Sequence, residues 1–272
     1  MSERPNRAAS GVDRWDSGGA YEPYVGRWSR LVAREFVRWL AVPPGSRWLD
    51  VGCGTGALTQ TVLEHAAPSD VVGIDPSAAY IASAAARMDD DLRAHFEIGD
   101  AQALRTAAET FDVVVSGLVI NFVPQPELAV AEMARVARPG GTVAAYVWDY
   151  AEGMRLMRYF WDAAVVLDPK AKELDEGQRF WLCKPEPLSR LFLSAGLEDV
   201  EVRAIEVPTR FRDFDDYWSP FLGGQGPAPS YAMSLSEERR AELRERIRAS
   251  LPSDPDGGIP LTAHAWAVRS VR

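Results

Sequence analysis

Hydrophobic positions first fall into a helical period after residue 28, where Val32, Phe36, Trp39 and Leu40 share one face. Ser29 can cap that helix and Pro43-Pro44-Gly45 ends it. The pattern then changes to short β-rich runs separated by helical ones. Strands are expected over 47–51, 71–75, 94–98, 111–116 and 142–148, with helices over 57–65, 77–88 and 127–136. The run 111–116 is almost wholly apolar, as a strand covered on both faces should be. Strands alternating with helices predict the α/β class, with a Rossmann-like, doubly wound parallel sheet.

Beyond Tyr150 the texture loosens. Helices over 154–167, 187–195 and 236–249 and strands over 200–207 and 261–271 are separated by Gly/Pro-rich connections, notably 220–229. The stretches of about 150–184 and 208–260 read as insertions on the rim of the sheet, and connections that long are usually functional. This organisation divides the chain into an N-terminal arm and lid helix (1–44), a core (45–150), and the rest of the sheet with its cap-forming insertions (151–272).

Composition narrows the partners. Hydrophobic residues make up 47% of 272, enough for a sizeable core and too many for a chain that is mostly disordered. The longest greasy run, 111–123, contains Asp112 and Asn121 and falls short of the roughly 18 residues of a membrane span. A net charge of -9, from 39 acids against 30 bases, argues against nucleic acid. Two cysteines, Cys53 and Cys183, fit a reducing cytoplasm better than a stapled secreted chain. Residues 1–19 are polar and lack the apolar centre of a secretion signal, so they read as a frayed arm.

The chemistry is concentrated where the first strand runs into the second helix, at Trp48-Leu49-Asp50-Val51-Gly52-Cys53-Gly54-Thr55-Gly56-Ala57. Glycines there let the backbone turn sharply and a ligand approach it, and the helix N-terminus offers unpaired N–H groups. Gly52, Gly54 and Ala57 also satisfy the dinucleotide spacing, which keeps a nicotinamide-dependent oxidoreductase open as an alternative. Three carboxylates tilt the balance. Asp50 precedes the first glycine, Asp75 ends the second strand before Pro76, and Asp100 ends the third before Ala101. Ligands of doubly wound sheets bind outside the carboxyl ends of the strands, so these acids converge on one crevice that suits an adenosine carrying positive charge.

The ordered set Leu49-Asp50-Val51-Gly52-Cys53-Gly54-Thr55-Gly56, the later acids, and Ala137-Arg138-Pro139-Gly140-Gly141-Thr142 resembles the class I S-adenosylmethionine-dependent methyltransferases. Within them it is similar to the subgroup containing the ubiquinone and menaquinone pathway methyltransferases, over about residues 45–150. The resemblance implies S-adenosyl-L-methionine as cofactor and a seven-stranded sheet whose last strand, 261–271, is antiparallel. It implies that Gly52 and Gly54 face the methionine part, that Asp75 holds the ribose hydroxyls, and that Asp100 with the Ala101 backbone reads the adenine. Ser116 and Gly117 would line the pocket beneath the sulfonium. A cofactor-binding relative without methyl transfer, cyclase-like or noncatalytic, is the other alternative.

Structural readings stand beside these. Asp50 can simply brace the glycine turn, Asp75 can act as a helix cap, and Cys53 reads as a small turn residue with no histidine nearby in sequence to activate it. Tyr24 and Arg27, in the segment before the first helix, either fold over the cofactor and grip its carboxylate or pack on the surface. Methyl transfer is an in-line displacement that needs alignment and dry surroundings, and a general base only for a poorly acidic nucleophile. Asp149 and His264 are the candidates, with Asn121 and Tyr146 behind them; His65 and His95 read as structural. Asn121-Phe122-Val123-Pro124 lacks the adjacent prolines of the motif that grips amino groups in DNA methyltransferases. No His or Cys cluster predicts a metal. Aromatics gather in the insertions: Tyr159, Phe160, Trp161, Phe180, Trp181, Phe211, Phe214, Tyr217, Trp218 and Phe221. They fit a pocket for a hydrophobic small-molecule methyl acceptor, an aromatic cage for a cation, or simple docking of the cap.

Overall fold

A computed structural model describes residues 26–223 and 226–272. The strands are β1 (Arg47–Val51), β2 (Asp70–Asp75), β3 (Ala94–Ile98), β4 (Phe111–Gly117), β5 (Ala137–Trp148), β6 (Glu198–Phe211) and β7 (Ile259–Val271). They form one seven-stranded sheet in the order β3-β2-β1-β4-β5-β7-β6. Neighbours from β3 through β5 run parallel, and β7 lies antiparallel to both β5 and β6. The chain leaves β1 in one direction for β2 and β3 and returns to its other side at β4. The topological switch point therefore falls between β1 and β4.

Helices α1 (Arg27–Leu40), α2 (Ala57–His65), α3 (Ala78–Arg87), α4 (Pro126–Val136) and α7 (Pro185–Ser194) flank the sheet. Helix α1 buries Val32, Phe36 and Leu40, the stripe its sequence period predicts. Phe36 meets Tyr146 of β5 at 4.7 Å between ring centroids, and Arg269 of β7 donates to the Trp39 carbonyl at 2.9 Å.

The cap comprises α5 (Arg155–Leu167), α6 (Glu176–Arg179), α8 (Phe214–Trp218), α9 (Pro227–Ser234) and α10 (Glu237–Ser250). Most of the insertion aromatics fill its interior. Phe160 stacks on Phe221 at 4.5 Å, Trp161 meets Tyr231 at 5.7 Å, and the buried Tyr217 hydroxyl donates to the Leu156 carbonyl at 2.8 Å. Arg158 makes a two-pronged pair with Asp175, and the Trp161 indole N–H donates to the buried carboxyl of Glu176. Phe160, Trp161, Phe211, Tyr217, Trp218 and Phe221 thus dock the cap; Tyr159, Phe180, Trp181 and Phe214 keep exposed surface.

Two boundaries differ most from the sequence expectation, the others moving by at most three residues. β6 does not stop at Val207 but runs through Pro208 to Phe211, pairing Pro208 with Thr262 and Arg210 with Pro260. Because β6 is the edge strand, the N–H that Pro208 lacks has no ladder partner to lose on the open side. The second insertion accordingly begins at Arg212, not at 208. β5 starts at Ala137, opposite Phe111, and passes its Gly140-Gly141 pair through a bulge before regaining register at Thr142.

Candidate functional site

Strand register gathers the predicted residues on one edge. Asp50 lies opposite Val115, so Gly52 stands beside Ser116 and Gly117; Asp75 lies opposite Ile98, with Asp100 two residues beyond. The glycine elbow is held from β2: the N–H groups of Gly52 and Cys53 both donate to the Ile74 carbonyl, at 2.7 and 3.0 Å. Gly52 has φ +76°, and a Cβ there would come within 2.5 Å of Val119 Cγ1, so only glycine lets the loop after β4 close on the elbow. Gly54 has φ +54° and nothing within 4 Å of where its Cβ would stand. That open space is a cradle a side chain would fill.

Asp75 is buried, and each of its oxygens accepts one backbone N–H: Gly54 at 3.0 Å and Ser77 at 2.8 Å. Burial raises its pKa and the two amides offset part of that rise. It therefore ties the elbow to the cap of α3, where the Ser77 hydroxyl accepts from the Tyr80 N–H at 3.3 Å. Lone pairs remain on both oxygens for further donors. Pro76 is exposed between them. Asp100 is exposed and accepts from the Gln102 backbone N–H at 2.9 Å, with Ala101 beside it.

Asp50 is fully buried. Its Oδ2 accepts from the Thr59 hydroxyl of α2 at 2.7 Å, while Oδ1 has no partner. Burial pushes its carboxyl up to about 7, against the pull of Thr59 and with a further rise from Asp75. Asp50 thus braces β1 to α2 through Thr59, and not the glycine turn itself. Thr59 escaped the sequence reading; its signal was a hydroxyl on the buried face of a helix directly after the elbow. Burial drives the Cys53 thiol far above its ordinary range, so it is no nucleophile.

Unpartnered polar atoms collect around the switch point: Asp50 Oδ1 on β1, Ser116 Oγ on β4, and both amide atoms of Asn121 just past β4. Between Ser116 and Asn121, Leu118 is held at φ +62°, a strained value for leucine. Buried groups without partners are rare in folded proteins, and of the eleven such atoms among the described residues four lie here and three on Arg27 and Trp28. Beside Asn121, Phe122 meets Phe180 of the cap at 5.1 Å, and Phe180 meets Tyr150 after β5 at 5.2 Å. This aromatic group, assembled from three separate loops, could not be read from spacing.

The structure also brings Asp149 and His264 together, with Oδ2 2.9 Å from Nδ1. Arg27 goes elsewhere. Its guanidinium pairs with Asp216 of α8 at 3.1 Å and lies over the rings of Trp28 and Phe211. Phe211 ends β6, four strand spacings or about 19 Å from β1, so the contacts Arg27 makes are on the cap side of the sheet, with its Nε and Nη2 left without partners. Tyr24 lies outside the described residues.

A Rossmann-like sheet with a glycine elbow, an acid at the end of β2 and a polar, partly unsatisfied switch point defines a nucleoside-cofactor enzyme. The family described as a methyltransferase domain matches residues 49–145. The ubiquinone biosynthesis O-methyltransferase of Hahella chejuensis is 30% identical over 70% of this chain and 78% of its own length. The 2-methyl-6-phytyl-1,4-hydroquinone methyltransferase of Synechocystis sp. is 27% identical over 80% of this chain and 74% of its own. Among solved structures, phosphoethanolamine N-methyltransferase 2 of Haemonchus contortus in complex with S-adenosyl-L-methionine shares the fold, with a TM-score of 0.58. At 18% identity it covers 99% of this chain and 61% of that one.

The chain belongs to the class I S-adenosylmethionine-dependent methyltransferases, of the quinone-methyltransferase-like kind. It is a methyltransferase whose cofactor is S-adenosylmethionine. The residues fit that group: the open side of Gly54 leaves room for it, and the carboxylates of Asp75 and Asp100, which accept backbone N–H groups here, keep lone pairs for further donors. Among the described residues no group of His, Cys, Asp and Glu could hold a metal, and no helix is long and apolar enough to cross a membrane.

Proposed function

We propose that the protein transfers a methyl group to a small aromatic acceptor bearing hydroxyl groups, of the hydroquinone or catechol type. The observation that carries this reading is the wall formed by Phe122, Tyr150 and Phe180 beside the unpartnered amide of Asn121. Flat rings offer a face to a flat guest, and one amide supplies both a donor and an acceptor to fix its orientation. The printed names of the two relatives, which specify a hydroquinone and ubiquinone biosynthesis, support the same chemistry.

The cofactor supplies an electrophilic methyl group when bound. In this reading Gly52 and Gly54 receive its methionine part, Asp75 its ribose hydroxyls, and Asp100 with Ala101 its adenine, while Ser116 and Gly117 lie beneath the reacting centre. Pro76 closes the ribose side. Phe180, reaching down from the cap, keeps water from the acceptor. The net charge of -9 speaks against a nucleic-acid partner, and the two buried free cysteines fit a cytoplasmic setting.

Incubation with methyl-labelled S-adenosylmethionine and a panel of hydroquinones, catechols and primary amines tests the reading through release of S-adenosylhomocysteine. Turnover with the hydroxylated rings is expected, with KM raised by Asn121→Ala and Phe180→Ala. Turnover confined to the amines would defeat it.

A further inference from the structure

Asp149 follows β5 directly and His264 lies opposite it on β7, so both stand on the edge where the parallel strands end. Their contact is built rather than incidental. The Asp149 N–H donates to the His264 carbonyl at 2.9 Å, which locks the two backbones together. Asp149 Oδ1 accepts the Glu152 N–H at 3.1 Å, leaving Oδ2 aimed at the imidazole. Gly153 closes on the ring so tightly that a Cβ there would stand 2.6 Å from His264 Nδ1, and Trp266 meets the ring edge-on at 4.7 Å. Burial would raise the Asp149 carboxyl, but His264 and the amides of Glu152 and Gly153 outweigh it and hold the group below its ordinary range.

An ionised carboxylate only accepts, so Nδ1 carries the proton, and whenever the ring is neutral its lone pair lies on Nε2. Nε2 has no hydrogen-bond partner among the described residues. The other titratable groups nearest by register, sequence or charge are Glu206 of β6, cross-strand from His264, Glu152 and Arg155 at the start of the cap, and the Cys183 thiol, which burial and then Asp149 push up. Tyr150, next to Asp149 in sequence, touches Phe180 of the aromatic wall assigned to the acceptor.

We infer that His264 is the general base that deprotonates a phenolic or enolic hydroxyl of the acceptor, with Asp149 as the positioning residue that fixes its tautomer. This rests on the methyl-transfer reading above. The hydroxyl proton passes to Nε2, and the oxygen electron pair forms the new bond to the methyl carbon. The methyl–sulfur bond breaks with its pair left on sulfur, cancelling the positive charge there. The imidazolium then returns its proton to water.

Initial rates with S-adenosylmethionine and catechol or 1,4-naphthohydroquinone, measured against pH, test the assignment in wild type, His264→Gln and Asp149→Asn. His264→Gln is expected to lower kcat by about 10²–10⁴-fold with little change in KM. Its residual rate should lose the acid limb of the wild-type profile and climb with pH as the free hydroxyl ionises. A second readout needs no turnover: only three histidines exist, so ¹⁵N spectra of the ring nitrogens resolve His264. They should show Nδ1–H with a bare Nε2, and Asp149→Asn should release that preference. An intact acid limb in His264→Gln, or an Nε2–H tautomer in wild type, overturns the proposal. Absence of S-adenosylhomocysteine with every acceptor, alongside the expected ¹⁵N pattern, would instead defeat the acceptor reading on which it rests.

Discussion

Replacing Asp75 by Asn separates two tasks that one carboxylate performs. In the structure its oxygens accept the N–H groups of Gly54 and Ser77; in the proposed complex the same oxygens accept the ribose hydroxyls. An asparagine keeps one acceptor and turns an amide NH₂ toward the other N–H, leaving that buried donor unsatisfied at a loss of about 1–3 kcal/mol. Opposing this, the amide removes a carboxylate whose burial disfavours its charge, so the net change in stability should stay within about 2 kcal/mol. Binding has no such offset. Losing hydrogen bonds to a charged acceptor forfeits about 1.5–3 kcal/mol, a rise in Kd of about 10- to 100-fold. Ser77→Ala is the control, because it removes only the bond to the Tyr80 N–H and should cost about 1 kcal/mol of stability while leaving affinity alone. Urea unfolding gives the stabilities, and titration calorimetry with S-adenosylhomocysteine gives the affinities. Native affinity in Asp75→Asn, or an equal loss in Ser77→Ala, would refute the argument and leave Asp75 as a brace for α3.

Three further outcomes follow from the same geometry. Gly54→Val should destabilise by only about 1–2 kcal/mol, for its left-handed backbone, yet fill the open cradle and raise the calorimetric Kd at least about tenfold; unchanged affinity would move the cofactor off the elbow. Arg27→Ala should loosen the cap, seen as a lower unfolding midpoint, and leave cofactor affinity intact, since its guanidinium serves Asp216; a large affinity loss would restore the carboxylate-gripping role. Stability should depend on pH through Asp50, whose carboxyl sits at about 7 when folded against 3.8 for an ordinary side chain. The folded chain then holds a proton that the unfolded chain releases, so this contribution is complete below about pH 4, declines toward about pH 7 and is flat above. Glu176, also raised to about 7 by burial, adds a slope of the same sign. Asp50→Asn should flatten part of the decline in urea midpoints measured across that range, and an unaltered slope would contradict the assignment.

The core was legible because its determinants are local. Apolar runs of strand length, the glycine elbow and an acid at each of three strand ends share one short register, and the parallel sheet carries that register across neighbouring strands with little freedom. Pro208 misled for an equally physical reason: proline ends a central strand, and only the topology reveals that β6 is an edge. The pairings that no pattern foretold span the chain, with a separation of 115 positions for Asp149 and His264 near the site and 189 for Arg27 and Asp216 in the cap. No spacing rule reaches that far.

The cap resists reading from sequence more deeply. An aromatic side chain that fills an interior and one that faces a guest obey the same helical period, so Phe160 and Tyr159, adjacent in sequence, could not be told apart by pattern. The structure separates them by partners: Phe160 is fully buried against Phe221, whereas Tyr159 keeps exposed surface beside Arg155. What distinguishes an acceptor wall is unmet polarity next to the rings, and only the assembled loops reveal it. Asn121 supplies that polarity beside Phe122, at the end of the strand that turns back across the switch point. Acceptor choice should therefore respond to changes at Asn121 and Phe180 far more than to changes among the buried aromatics, whose substitution should register first in stability.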